Sequence, residues 1–185
     1  MKLHLGCGQK RIAGFINVDR EPSLQPDQIV NLEVFPWPWE TNSVEEVVME
    51  HVLEHLGQNP DTYLTLISEL YRICKPQALI HVVVPHPRSD GYLADPTHVR
   101  PILPEGLELF SQEANRITQQ RGWANTPLAQ ILNVDFRILE VEYQVNAPWL
   151  DHLSEGKITE AELQHAMLTL FNVVNDIRIE WQVVK

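Results

Sequence analysis

Five short apolar runs in the first half of the chain most constrain what it can fold into. The strongest, at 78–84, is rich in β-branched residues and lies between Pro76 and Pro85. Short apolar runs are typical of strands buried on both faces of a parallel sheet, and glycine or proline boundaries favour strands over buried helix. Glycine, proline or an acidic residue follows each of the five. They lie at residues 2–5, 15–18, 28–32, 44–49 and 78–84.

Two helices are expected on either side of the strongest run. Residues 61–75 carry an apolar stripe at helical spacing, with Asn59 placed to cap the helix and Pro60 at its first position. Residues 105–120 carry a similar stripe and predict a second helix. A helix followed by a buried strand is half of a βαβ unit, so the first pair indicates a parallel sheet.

The second half of the chain predicts two more strands and a helical insertion. Partial alternation of apolar residues indicates strands at 136–145 and 177–183. Between them, residues 147–174 form the insertion, whose last helix begins with a capping box at Thr159 and has an apolar stripe continuing to Val174. The whole pattern predicts an α/β fold, a doubly wound sheet of about seven strands with helices on its faces.

Composition disfavours several classes of function. The 185 residues carry 25 Asp and Glu against 14 Lys and Arg, which gives a formal net charge of −11. This balance argues against nucleic acid and against anionic membrane surfaces, because both bind through clustered cations. Cys7 and Cys74 do not make a disulfide framework, and no apolar run approaches the ~20 residues that span a bilayer. With no secretory leader after Met1, we expect a cytoplasmic protein folded as a single domain over residues 1–185.

A glycine turn follows the first run, and an acidic residue ends the second. Gly6 and Gly8 flank Cys7, so the backbone there can take positive φ and approach a ligand closely. Asp19 ends the second run, and in a doubly wound sheet its carboxylate would lie beside the same crevice. A carboxylate in that place can accept hydrogen bonds from both hydroxyls of a ribose. The pair indicates a nucleotide-type ligand.

Several segments in this order resemble the class I S-adenosylmethionine-dependent methyltransferases, and more narrowly the group called methyltransferase type 11. They cover a little over half of the chain, from about residue 2 to residue 100. They are the segments 3–8, 16–19, 36–39, 51–55 and 70–76. The resemblance implies a mostly parallel seven-stranded sheet of order 3-2-1-4-5-7-6 with the last strand antiparallel, S-adenosylmethionine as cofactor, and one methyltransferase-like domain.

The resemblance also assigns cofactor contacts along the carboxyl ends of the first four strands. It places the glycine turn at the methionine part, Asp19 at the ribose and Asn31 with Leu32 near the adenine. The chain after strand four would line the methionine side. The cofactor-binding residues implied are His4, Gly6, Cys7, Gly8, Asp19, Asn31, Leu32, Glu50 and His51.

One departure from the family pattern concerns the first crossover. Only six residues, 9–14, separate Gly8 from Phe15, whereas a parallel crossover normally needs a dozen or more residues and usually a helix. Either the first helix is reduced to a turn, or the first two strands are not parallel neighbours. Either outcome leaves the cofactor site more open than usual. Of the two, we expect the first helix to be reduced to a turn.

The segment His51-Val52-Leu53-Glu54-His55 also matches an inverted zinc-protease motif. On a helix its two histidines, four residues apart, could bind one Zn²⁺, with Glu54 as general base. The glycine and proline that follow leave little room for such a helix. The alternative is that Glu54 and His55 cap and pack a loop beside the cofactor.

A long segment rich in proline, aspartate and histidine, residues 85–101, follows the fifth run. Long ordered loops in compact domains are usually functional, and this one would face the transferred methyl group. His86, Asp95 and His98 are the predicted catalytic residues, as general base or substrate contact. The alternatives are a metal site made by the same three side chains, or a rigid turn at 95–98.

Two further regions have open interpretations. The aromatic loop 35–39 either stacks on adenine or forms a stiff, proline-set loop with half-buried tryptophans. The insertion 147–174 packs on the domain, roofs the substrate site or forms a homodimer contact. The function expected is methyl transfer to a small-molecule or sugar-type acceptor. The alternatives are a degenerate cofactor-binding domain without transfer activity and, third, a zinc-dependent hydrolase using His51, Glu54 and His55.

Overall fold

A computed structural model describes residues 1–185 and contains one seven-stranded sheet. The strand order is β3-β2-β1-β4-β5-β7-β6, and β7 runs antiparallel to both of its neighbours while the other pairs are parallel. The predicted order and direction of the strands are confirmed. The strands are β1 Lys2–Leu5, β2 Ile16–Asp19, β3 Gln28–Ile29, β4 Val44–Glu50, β5 Cys74–Pro85, β6 Phe136–Val145 and β7 Val174–Val183.

Seven α-helices connect or follow these strands. The helix predicted at 61–75 is α1, and the Asn59 side chain accepts a hydrogen bond of 2.9 Å from the backbone N–H of Asp61, as a cap does. None of these helices combines the length and the hydrophobicity that a membrane span requires. The helices are α1 Pro60–Ile73, α2 Asp90–Leu93, α3 Pro104–Leu107, α4 Gln112–Gln120, α5 Leu128–Leu132, α6 Ala147–Ser154 and α7 Glu160–Thr169.

The prediction of one continuous helix over 105–120 is wrong. The chain forms α3, a 3-10 turn at Glu108–Phe110, and then α4. Ser111 breaks the run because its backbone is extended, and its hydroxyl caps α4 by accepting from the N–H of Ala114 at 3.2 Å. Phe110 remains fully buried, so the apolar stripe is used although the helix is interrupted.

The β1 and β2 strands are parallel neighbours although only residues 6–15 separate them. No helix forms in this connection, as the short spacing predicted. Ten extended residues reach about 33 Å, which is ample for the return over a four-residue strand. The backbone N–H of Cys7 donates to the carbonyl of Val18, and the N–H of Ile12 donates to the Asn17 side chain, both at 2.9 Å. These hydrogen bonds hold the connection against β2 without a helix.

One face of the sheet, called here the uncovered face, carries partly exposed polar side chains on β5 and β7, among them His81 and Glu180. The burial of β5 and β7 alternates along each strand, with apolar side chains inside and mostly polar ones outside, although Leu79 and Val83 also lie on the outer side of β5. On the uncovered face, Glu46 contacts Lys2 at 2.6 Å and His81 at 3.4 Å. The prediction of strands buried on both faces therefore holds for residues 47–49 of β4 and is wrong for β5, whereas the alternation predicted for the last strand is present in β7.

The insertion between β6 and β7 is a helical hairpin with its own small apolar cluster, centred on Leu163, Ala166 and Val173. The capping box at Thr159 is present, since its hydroxyl accepts from the N–H of Glu162 and the Glu162 carboxylate accepts from the N–H of Thr159. The helix ends at Thr169 and does not continue to 174 as predicted, because the backbone becomes extended at 170 and left-handed at 172 before entering β7.

Candidate active site

A crevice of about 340 Å³ lies at the carboxyl ends of β1, β2 and β4. From β1, the strands that follow in sequence lie toward β2 and β3 on one side and toward β4 and β5 on the other. Ligands of α/β sheets bind in the crevice at such a point. Five of the nine predicted cofactor-binding residues line it: Gly6, Asp19, Asn31, Leu32 and His51. The other lining residues are Arg20, Val30, Val52, His55, Leu56 and Thr97.

Asp19 links the end of β2 to the turn after β1 at the crevice. Its Oδ2 accepts a hydrogen bond of 2.9 Å from the N–H of Gly8, and its Oδ1 accepts one of 3.0 Å from the N–H of Glu21. A carboxylate has about four lone-pair positions, so each oxygen keeps one for a ligand. The two backbone bonds hold the carboxylate in place before any ligand arrives.

The two glycines of the turn are needed for different reasons. Both have positive φ, +65° at Gly6 and +53° at Gly8, which favours glycine. A Cβ at Gly6 would come within 2.4 Å of a methyl group of Val52, whereas a Cβ at Gly8 would meet no atom within 4 Å. Gly6 therefore allows close packing against the chain after β4, and Gly8 only allows the backbone to turn.

The other four predicted contacts, His4, Cys7, Gly8 and Glu50, do not line the crevice, and Gly8 only donates to Asp19 from the turn. His4 is buried on the uncovered face beneath the turn, where its Nδ1 lies 3.1 Å from the Asn17 Oδ1. Burial lowers the pKa of His4. Cys7 is also buried and accepts a hydrogen bond from Arg11, and burial raises its pKa. Glu50 forms an ion pair with the ammonium group of Lys10.

The segment after β4 does not form the helix that a zinc protease of the inverted motif requires. Leu53–His55 is a single 3-10 turn, and His51 has a left-handed backbone with φ of +52°. His51 and His55 are therefore not stacked on one face of an α-helix. Instead, the Nδ1 of His51 lies 3.6 Å from the Oε1 of Glu54, and the Nε2 of His55 lies 4.0 Å from the same oxygen.

The proline- and histidine-rich loop returns over this turn. The backbone N–H of Val99 donates to the carbonyl of Glu54 at 2.9 Å. The Thr97 hydroxyl lies 2.9 Å from the Nδ1 of His55 and donates to the Oδ1 of Asp95 at 2.6 Å. The rigid turn anticipated at 95–98 is thus present, and it also brings Thr97 to the crevice.

A second cavity, of about 710 Å³, lies beside the crevice and has no hydrophobic lining residue. Asp95 and His98 line it, but His86 does not. His86 is buried, lines a separate cavity beside Arg88 and Tyr143, and has a pKa lowered by burial. The structure therefore brings two of the three predicted catalytic residues together. The lining residues are His51, Glu54, His55, Pro85, Ser89, Asp90, Gly91, Asp95, His98, Asn146, Asn172, Asn175 and Asp176.

Six of the crevice residues are not among the predicted cofactor contacts. Arg20, Val52 and Leu56 directly follow or lie within the sequence motifs, so proximity to a motif is the signal that can identify them. Thr97 is 42 residues from its partner His55, and no local pattern indicates that contact. The aromatic loop does not line the crevice, because Trp37 and Trp39 are buried and donate their indole N–H groups to Leu32 and Gln28.

Solved structures share this architecture over nearly the whole chain. A S-adenosylmethionine-dependent methyltransferase from Archaeoglobus fulgidus superposes with a TM-score of 0.65 and 18% identity, covering 98% of this chain and 85% of that one. One from Methanosarcina mazei gives 0.56 and 14%, covering 99% and 92%. The chain has the class I methyltransferase fold.

This fold also carries other chemistry. The [4+2]-cyclase SpnF superposes with a TM-score of 0.51 and 14% identity, covering 99% of this chain and 75% of that one. No protein-family model matches the sequence, and no curated protein matches it. Identities this low establish the methyltransferase fold alone, and function has to be argued from the site.

Proposed function

We propose that this chain transfers a methyl group from S-adenosylmethionine to a small-molecule acceptor of the sugar type. The observation that carries the proposal is that the crevice and the polar cavity share His51 and His55 in their walls. A cofactor in the first and an acceptor in the second would meet at these two side chains. A methyl transfer needs this arrangement, because the two reactants must be held in contact and in line.

The crevice residues fit the cofactor's chemistry. Val30, Leu32, Val52 and Leu56 supply apolar wall for an adenine ring, and Asp19 supplies free lone pairs for ribose hydroxyls. The bound cofactor would supply an activated methyl group on a sulfonium, which leaves as a neutral thioether. The protein itself mainly has to align the partners and exclude water.

The second cavity fits a hydroxyl-rich acceptor. Its walls carry carboxylates and amides, among them Asp90, Asp176 and Asn172, and hydroxyl groups can both donate to and accept from such side chains. The acidic walls disfavour a phosphate-rich acceptor. We assign Asp95 and His98 to contact with the acceptor, and His86 to packing, since it lies in another cavity.

Calorimetric titration of the purified chain with S-adenosylhomocysteine tests the cofactor assignment. We expect one binding site per chain and no comparable binding of ATP, whose triphosphate has no cationic cluster to meet. Incubation with methyl-labelled S-adenosylmethionine and a panel of sugars, followed by mass spectrometry, tests the transfer. A chain that binds no S-adenosylhomocysteine overturns the proposal, and one that binds it without ever labelling an acceptor favours the degenerate alternative.

The homodimer proposal concerns the insertion. Leu168, Leu170 and Phe171 are 73%, 47% and 58% exposed beside the small cluster of the hairpin, and a group of neighbouring exposed apolar side chains is typical of a contact surface. We propose that two copies pair through this surface. Sedimentation should give a dimer for the wild type and a monomer for Leu168→Glu, and a monomeric wild type overturns the pairing.

A further inference from the structure

Glu54 is the least satisfied polar side chain in the molecule. It is 0% exposed, and neither carboxylate oxygen has a hydrogen-bond partner. The nearest nitrogens, on His51 and His55, lie 3.6 and 4.0 Å from its Oε1, beyond hydrogen-bonding distance. Burying a carboxylate without partners costs several kcal/mol, so such a group normally has a cation beside it.

Two histidines face this carboxylate. One ligand atom from each of Glu54, His55 and His98 lies within 4.8 Å of the others. The rings of His55 and His98 are 4.6 Å apart, and Tyr92 stacks on the outer side of His98 at 5.1 Å. Both imidazoles are therefore fixed by packing from the returning loop.

The hydrogen bonds decide which nitrogen of each ring is free. The Nδ1 of His98 lies 2.7 Å from the carbonyl of Tyr92, which only accepts, so this nitrogen carries the proton. The hydroxyl of Thr97 gives its single proton to Asp95, so its oxygen accepts from the Nδ1 of His55. When each ring carries a single proton, that proton is on Nδ1 and Nε2 keeps its lone pair.

Three acceptors thus converge, and the nearest donor, the Nδ1 of His51, lies 3.6 Å from the Glu54 carboxylate. We propose that Glu54, His55 and His98 bind a divalent transition-metal ion of the zinc class. Two imidazole nitrogens and one carboxylate are ligands for such ions, and a carbonyl or hydroxyl on the other ring nitrogen is the outer-shell partner that orients a metal-binding histidine. Ligands of tetrahedral zinc lie about 3.4 Å apart, so binding draws these side chains together by about an ångström.

The ion would face the polar cavity. All three ligands line its wall, and its volume of about 710 Å³ leaves room for further ligands on the open side of the ion. The role of the ion rests on the proposed methyl transfer. The ion would bind a hydroxyl oxygen of the acceptor and lower the pKa of that hydroxyl. His98 would then contact the acceptor through the ion. Metal binding itself depends only on the three side chains and not on methyl transfer.

The test is metal binding by the full chain after exhaustive chelation, measured with Zn²⁺ by calorimetry and with Co²⁺ by visible absorption. We expect one equivalent of each ion and Co²⁺ bands typical of nitrogen and oxygen ligands. Glu54→Gln keeps the side-chain shape and should lower the Zn²⁺ affinity by more than about 100-fold. His98→Gln should do the same, whereas His165→Gln, on an exposed helix surface, should leave it unchanged.

A second measurement separates a metal site from a merely packed cluster. Zn²⁺ should raise the melting temperature of the wild type by several degrees and leave that of Glu54→Gln unchanged. Without metal, Glu54→Gln should melt higher than the wild type, because it removes an unpaired buried carboxylate.

Three outcomes overturn the proposal: no binding by the wild type, binding that survives both Glu54→Gln and His98→Gln, or Co²⁺ bands unchanged by these substitutions. S-adenosylhomocysteine affinity is measured on the same samples. A wild type that binds S-adenosylhomocysteine but no metal overturns the metal site alone. A wild type that binds metal but no S-adenosylhomocysteine overturns the methyl-transfer proposal alone.

Discussion

The backbone N–H of Gly8 donates a hydrogen bond of 2.9 Å to the Oδ2 of Asp19, so the glycine turn after β1 and the acid that ends β2 form one unit. Neither element is a ligand site alone. Joined, they place a carboxylate with free lone pairs at the edge of the crevice.

Replacement of Asp19 should weaken cofactor binding. In Asp19→Ala we expect the affinity for S-adenosylhomocysteine to fall at least about 10-fold, because charge-assisted hydrogen bonds contribute about 1.5–3 kcal/mol. Asp19→Asn keeps one acceptor oxygen and should lose less. Calorimetry measures both, with Asp151→Ala on the exposed surface of α6 as the control. Equal affinities in Asp19→Ala and the wild type would refute the ribose contact.

The two glycines of the turn should differ in their tolerance of a methyl group. Gly8→Ala should cost about 1–2 kcal/mol of the free energy of unfolding, the penalty for a left-handed non-glycine residue. Gly6→Ala adds the contact of 2.4 Å with Val52 and should cost about 2–5 kcal/mol. Urea unfolding of both variants gives the comparison. Similar losses would show that Val52 moves aside freely.

Acid should destabilise the protein partly through His4. Burial lowers the pKa of this imidazole, and the charged groups around it are Glu50, Lys10 and Arg11. The unfolded chain therefore takes up a proton below about pH 6.5 before the folded chain does, so the free energy of unfolding falls as the pH drops from 6.5 toward the lowered value.

The matched variants for this pH effect are His4→Gln and His165→Gln. The first should flatten the decline in stability between pH 7 and 5, as measured by urea unfolding at each pH. The second, on an exposed histidine, should leave the slope unchanged. A slope that His4→Gln does not reduce would assign the acid sensitivity to other groups.

Arg72 on α1 fixes the aromatic loop. Its guanidinium donates to the carbonyls of Trp37 and Trp39 at 3.1 and 2.9 Å and to the Glu69 carboxylate, which also accepts from the N–H of Trp37 at 2.7 Å. The bond to Arg72 lowers the pKa of Glu69. A lysine cannot reproduce this planar fork.

Arg72→Lys should therefore lower the free energy of unfolding by about 1–3 kcal/mol. Arg116→Lys is the control, because Arg116 forms only an exposed ion pair of 3.7 Å with Glu113, and such pairs contribute less than about 1 kcal/mol. Thermal unfolding compares the two. Equal effects would indicate that the loop is held by tryptophan packing alone.

Local signals predicted the elements whose causes are local. Asn59 with Pro60 marked the start of α1, the Thr159 capping box marked α7, and the family resemblance supplied the strand order. The spacing between Gly8 and Phe15 correctly indicated a connection without a helix. Apart from the strand order, each of these depends on residues that lie close together in the sequence.

The rest depends on contacts that no local pattern encodes. The uncovered sheet face was hidden because Val48 and Val83 extend the apolar runs of β4 and β5 although they lie on the polar side with His81. The Glu54 cluster arises only when the chain at 95–99 returns across the end of β4, and the contact between Thr97 and His55 spans 42 residues. Histidine positions were visible in the sequence, but their partners were not.

The connection between β1 and β2 has a further consequence. An exposed side chain, Arg11, holds it by donating to Cys7, Gly8, Leu24 and Gln25, and few buried apolar groups support it. Segments of this kind open locally at low free energy while the core stays folded. A ligand on Asp19 would slow hydrogen exchange at the Gly8 amide, because that amide exchanges only when its bond to the carboxylate breaks. Ligand binding in the crevice and local ordering of the connection between β1 and β2 therefore favour each other.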